Sequence, residues 1–179
     1  MAASDASEGF WDFSVRTYRT DGVPEACLSL QNDYGADVNM LLYCGWVGAY
    51  FGRFDDALFS KASGFADKWA DEVVRPLRSA RTWMKQSGCH DEPMSTEQCM
   101  SFREEIKSVE LAAEKMQQQV LETITSGRQL RADVTAAALD DVLANLQRYA
   151  DHTGIDIGHD VREKFSVIIR AAFPDWPSI

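Results

Sequence analysis

Four basic residues, Arg75, Arg78, Arg81 and Lys85, follow one another at spacings of three, three and four, in a stretch from Val73 to His90 without an acidic residue. On a helix that spacing lines them along one face, with Trp69 and Trp83 near its edges. A positive stripe of this kind can hold a phosphate-bearing ligand, RNA or an acidic segment of a partner protein. Its other reading is structural, with the cations pairing against an acidic helix face that carries Glu104, Glu105 and Glu110. Asp67 and Asp71 stand one helical turn apart with Trp69 between them, and paired carboxylates at that spacing can hold magnesium against a diphosphate. That chemistry needs a second acidic pair across a cavity. Glu110 and Glu114 have the spacing, but they lie beside an apolar seam, so a solvated acidic face paired with Lys68 or Arg75 is the simpler reading. A candidate aromatic pocket joins Trp46 and Trp69 with Asp67 and Asp71.

Other constellations are incomplete. Cys89-His90-Asp91, with Cys99 nearby, falls short of the four regularly spaced ligands of a zinc site. Neither His152 nor His159 has a partner recognisable in sequence, and the HExxH, GxSxG, P-loop and GxGxxG patterns are absent. The sequence therefore assigns no catalytic, cofactor-binding or metal-ligating residue, and it leans away from an enzyme. One polar group stands out by its setting. Asn39 opens the most apolar stretch of the chain and needs a partner if it is buried. Asp12 and Arg16, one turn apart, are candidates for an ion pair beside it, giving a buried polar network of Asp12, Arg16 and Asn39 that fixes helix register.

Composition narrows the class. The chain has 179 residues, 45% of them hydrophobic, and a net charge of −10 from 18 basic and 28 acidic side chains. That charge repels phosphate, so a general nucleic-acid or anionic-membrane partner is not expected. The start carries neither an apolar signal region nor the arginines of a transit peptide, which points to a cytoplasmic protein. Val38 to Gly52 is uncharged but too short to span a bilayer, and it reads as a buried central helix. In that setting Cys27, Cys44, Cys89 and Cys99 are expected to be reduced thiols.

The elements that must position these groups are helical throughout, with no sustained alternation. Ser7 can cap a first helix, Glu8 to Arg19, and Pro24 begins a second to Asp33. Asp37 caps the apolar third. A fourth stretch starts at Asp55-Asp56, resumes after Gly64 and runs to Gln86, with a kink at Pro76 or two helices meeting near Val73. Ser95 with Gln98 forms a capping box for a long helix whose seam is Cys99, Phe102, Ile106, Val109, Ala113, Met116 and Val120. Two further helices cover Thr135–His152 and His159–Phe173. Gly48 and Gly52 are spaced for close helix packing, and Trp176 either docks another protein or folds back on the core. Fourteen of the nineteen aromatic residues lie at or before Trp83, so the first half should hold an aromatic core.

Phe10-Trp-Asp-Phe-Ser14, Gly22-Val-Pro-Glu-Ala-Cys-Leu28, Leu30-Gln31, Gly35-Ala-Asp-Val-Asn39, Trp46 and Val73-Val-Arg-Pro-Leu77 together resemble a family of small bacterial proteins known only as a conserved domain of unknown function. The resemblance covers residues 10 to 86 and fades after Met94. It implies a soluble, all-helical cytoplasmic protein and brings no activity, cofactor or site residue. The expected fold is an all-α bundle of six to eight helices. Residues 1–9 form a disordered N-terminus, 10–86 an aromatic module, 87–94 a linker, 95–173 an amphipathic helical segment packed on the module, and 174–179 a tail. The expected function is a non-catalytic protein-interaction or regulatory adaptor, with a homodimer through the 99–120 seam as one form of partnership. The alternative is a binder of a phosphate-bearing or apolar small molecule, or an enzyme, built on the aromatic pocket. No cofactor is expected.

Overall fold

The computed structural model describes residues 8–88 and 95–176. The Ser7 cap, the Cys89-His90-Asp91 cluster, most of the 87–94 linker and the last three residues of the tail lie outside the described residues.

Helices α1 (Phe10–Tyr18), α2 (Val23–Tyr34) and α3 (Val38–Tyr50) are followed by α4 (Asp56–Trp69), α5 (Arg75–Trp83), the 30-residue α6 (Thr96–Thr125), α7 (Leu139–Thr153) and α8 (His159–Ala172). No strand occurs among the described residues, and the fold is the all-α bundle that the periodicity implies. No described helix is long and apolar enough to cross a membrane.

Local chemistry sets the boundaries. The Asp37 carboxylate accepts from the Asn39 backbone N–H at 2.8 Å and starts α3, and the Asp55 carboxylate does the same for Leu58 at 2.7 Å in α4. Gly35 ends α2 at φ 72°, the left-handed geometry that a side chain resists. Gly64 does not interrupt α4. The expected kink at Pro76 takes the form of a π-helical turn, Ala70–Val74, between α4 and α5. Proline has no N–H to give and its ring crowds the carbonyl four residues back, so widening the preceding turn relieves both problems. Ser95 caps α6 by accepting from Gln98 N–H at 3.2 Å, and its hydroxyl donates to the Gln98 side chain.

The apolar α3 runs through the centre, with Met40 to Cys44 and Trp46 to Ala49 buried. Phe10 packs its ring on Tyr43 and Trp46, and Phe54 packs on Tyr43 and Phe59, which forms the aromatic core. α3 crosses α7 at Gly48, where a Cβ would lie 2.6 Å from the Val142 Cα, so glycine is required for the two backbones to approach. The tyrosine inside this core is satisfied: Tyr43 Oη lies 2.6 Å from Thr125 Oγ1 of α6. At the C-terminal end Trp176 folds back, stacking on Phe173 with centroids 4.0 Å apart. Cys27 and Cys44 are buried free thiols, and burial pushes both up. Cys99 is disulfide-bonded, which corrects the expectation of a reduced thiol there.

Candidate functional site

Of the basic stripe, two members meet α6. Glu110, 5% exposed, accepts from Arg78 Nε at 2.9 Å and from Arg81 Nε at 2.5 Å, and Glu114 accepts from Arg78 Nη2 at 2.7 Å. Arg75 pairs with Asp71 one turn back on the exposed side, and Lys85 is exposed. Burial alone would push the Glu110 carboxyl up, but hydrogen bonds from Arg81 and Arg78 outweigh it and hold the group below the usual carboxylate range. Glu114 goes the other way: burial pushes it up, and Arg78 only partly opposes that.

The aromatic-pocket residues are not brought together. Trp46 is buried in the core with its Nε1–H on the Glu8 carbonyl at 2.9 Å, whereas Trp69 donates to the Ala113 carbonyl of α6 at 3.0 Å. Asp67 pairs with His152 at 2.8 Å and Asp71 with Arg75, so the two carboxylates serve separate partners instead of one cation. Arg16 grips the Glu8 carboxylate with both prongs of its guanidinium, at 3.0 and 2.7 Å, and reaches the Ala172 carbonyl, while Asp12 is exposed. This corrects the Asp12–Arg16 pair. The planar fork takes two oxygens of one carboxylate, and Glu8, just before the helix, presents them side by side.

Asn39 is buried in a polar network, but with other partners. Its Nδ2 donates to Gln117 Oε1 at 2.9 Å, and its Oδ1 accepts from Gln118 Nε2 at 2.7 Å. Gln117 Nε2 donates in turn to the Asp37 carboxylate, whose backbone N–H donates to Tyr149 Oη at 2.7 Å. Burial pushes the Asp37 carboxyl up, opposed by the hydrogen bonds from Gln117 and the start of α3. Sequence reasoning found Asn39 and the Asp37 cap and missed the two glutamines. They belong to the helical phase of Ala113 and Leu121, and the triple Gln117-Gln118-Gln119 carried the signal.

This relay floors a two-lobed cleft between α2, α3, α6 and the α4–α5 bend on one side and α1, α2, α3 and α6 on the other, with lobe volumes of about 300 and 270 Å³. Both lobes share Gln31, Val38, Asn39 and Glu114. The first is polar, edged by Asn32, Arg75, Arg78 and Ser79. The second is walled by Trp11, Val15, Leu28, Leu42 and Leu111. Lys115 Nζ lies 5.0 Å from the centre of the Trp11 ring. Under this second lobe two buried oxygens have no hydrogen-bond partner: Ser14 Oγ and Gln118 Oε1. Between α1, α3, α7 and α8 the core is tight, with a void of about 10 Å³, while two open surface hollows lie elsewhere, one of about 470 Å³ beside Trp176 and one of about 270 Å³ beside Trp69. No metal-binding cluster occurs among the described residues.

The architecture is thus an all-α bundle with a two-lobed surface cleft over a buried amide relay. By sequence the chain belongs to the family described as protein of unknown function DUF2390, which matches residues 9–121. The match runs well past residue 86 and takes in most of α6, so the long helix is part of the family's unit and the expected fading after Met94 is corrected. Every residue lining the cleft falls inside it. No curated protein and no solved structure matches the chain.

Proposed function

We propose that this is a non-catalytic binding protein whose cleft takes a small molecule with an apolar body and a hydrogen-bonding head. The observation that carries this reading is the pair of unpartnered oxygens, Ser14 Oγ and Gln118 Oε1, beneath one apolar-walled lobe. An unsatisfied buried polar atom costs about 1–3 kcal/mol, so two of them in one place are a standing cost that a bound head group relieves. Ser14 Oγ is hydrogen-bonded to no general base, which argues for binding over nucleophilic chemistry. The test is a thermal-shift screen of small neutral, cationic and anionic molecules against wild type and Leu28→Arg, a rim change at a half-exposed position. Stabilisers whose effect Leu28→Arg abolishes support the reading. A screen without stabilisers, or with stabilisers indifferent to Leu28, refutes it.

A second reading, docking of another protein, draws on α6. Phe102, Val109 and Met116, spaced by seven, are 52%, 54% and 49% exposed along one face, while Cys99 and Ala113 of the same seam face inward. The occupant we propose for that face is a second copy of the chain. Light scattering should give a dimer that Val109→Glu reduces to a monomer; a monomeric wild type ends this reading.

A further inference from the structure

The amide relay has a direction. An ionised carboxylate can only accept hydrogen bonds, so Asp37 forces Gln117 to present its NH₂, which turns the Gln117 carbonyl toward Asn39. Asn39 must then give its NH₂ to Gln117 and its carbonyl to Gln118. Gln118 spends its NH₂ on Asn39, and the relay ends on Gln118 Oε1, a buried acceptor without a donor. One charge at Asp37 thereby sets the polarity of a group three side chains away, under the apolar lobe.

We infer that the cleft selects ligands that carry an N–H or O–H donor on an aromatic or apolar body, and that Asp37 is the positioning residue for that selectivity. This rests on the binding reading above. Gln118 Oε1 demands a donor, and Ser14 Oγ, a donor and acceptor both, accommodates a second donor or an adjacent acceptor. Charge does not override this demand. Glu114 stands on the wall shared by both lobes, and Arg78 and Arg75, which edge the polar lobe, are already paired with Glu110, Glu114 and Asp71. Arg19 is an exposed rim group. Arg19 and Lys115, the latter over the Trp11 ring, offset Glu114 in charge, so it is the unmet acceptor Gln118 Oε1 that favours a donor over an acceptor-only phosphate or carboxylate. The walls, Trp11, Val15, Leu28 and Leu111, suit a flat apolar body.

Four probes of one shape separate these demands: benzamidine (cationic, donor only), benzamide (donor and acceptor), N,N-dimethylbenzamide (no donor) and benzoate (anionic, no donor). Each is titrated into ¹⁵N-labelled protein while the side-chain amide signals of Asn39, Gln117 and Gln118 are followed. Benzamidine and benzamide should move those signals with apparent affinities about tenfold or more above the other two, the worth of one satisfied buried acceptor. Asp37→Asn keeps a capping side chain for α3 but can present either an NH₂ or a carbonyl to Gln117, so it should retain binding and shrink the tenfold preference. Ser14→Ala, which leaves the relay intact, should weaken benzamide while preserving the preference for a donor. Equal binding of all four probes at these signals overturns the donor rule and leaves the binding reading standing. A preference that survives Asp37→Asn removes Asp37 from its role. Signals unmoved by any probe overturn the donor rule together with the binding reading for this ligand class.

Discussion

α6 buries polar groups in two ways within three turns, and the contrast separates structure from function. At Glu110 and Glu114 the partners are arginines. Charge meets countercharge, Arg78 bridges the two carboxylates, and Glu110 takes a second guanidinium from Arg81. At Gln117 and Gln118 the partners are a carboxylate and another amide, and the last oxygen is left over. The clamp closes on itself and serves the packing of α5 on α6. The relay stays open, and it does so under the apolar-walled lobe of the cleft, which has room for a guest. Most of a cation stripe that looks functional in sequence is spent on structure, whereas a row of neutral amides ends, beside Ser14, in a demand left unmet under a cleft. Thr17 Oγ1 and Ser166 Oγ are also unpartnered but line neither lobe.

The largest effect should come from the clamp. Glu110→Gln strands the Arg81 guanidinium and leaves Arg78 only Glu114, and both arginines keep a quarter of their surface in water, so the cost falls somewhat below that of a fully buried broken pair, about 2–3 kcal/mol. Circular dichroism melting should register this as a fall of roughly 5–10 °C; an unchanged melting temperature would show that the clamp is ornamental. Next comes the middle of the relay. Asn39→Leu leaves Gln117 Oε1 and Gln118 Nε2 without partners, which should cost about 2 kcal/mol in urea unfolding. The open end differs in kind: Ser14→Ala deletes an atom with nothing to lose, so stability in the absence of ligand should stay within about 0.5 kcal/mol of wild type or rise. A clear loss there would mean that Ser14 is satisfied after all.

The smallest effect is one of sign. Glu110 is held below its ordinary range, so its contribution is present above that range and fades as pH falls through its folded value. Glu114 is raised, so the folded state gains a proton there before the unfolded chain does, and acidification through that window adds stability. Glu114→Gln should therefore raise the melting temperature at neutral pH and remove that gain, whereas Glu110→Gln lowers it. Two glutamates one turn apart moving in the same direction would break the comparison.

Much of this was legible in sequence. Asp37, Ser95 and Asp55 announce their helices, Pro76 announces a disturbed turn, and Gly48 announces a close crossing. Asn39 stood out because a lone amide in an apolar run demands a partner. What the pattern concealed was the partner and the phase of α6. The apolar spacing from Cys99 to Val120 marks residues that share a stripe, but it does not say which edge of the stripe faces in. The inward edge is Cys99, Glu110, Ala113, Gln117 and Leu121, with Phe102, Val109 and Met116 left outside. Polar residues can occupy an inward face once Arg78, Arg81 or Asn39 lies opposite, and nothing local encodes an opposite side 78 residues away. Arg16 was misassigned for a related reason: helical spacing offers Asp12, whereas a preceding turnless residue, Glu8, offers both carboxylate oxygens.

A crystal structure of the protein with benzamidine bound tests the open-ended relay most directly. The account places an amidine nitrogen at hydrogen-bond distance from Gln118 Oε1, the ring against Trp11 and Leu111, and the order Asp37, Gln117, Asn39, Gln118 unchanged. Benzamidine seated on the arginine clamp instead, or a cleft left empty at saturating probe with Gln118 turned to another protein donor, would contradict it.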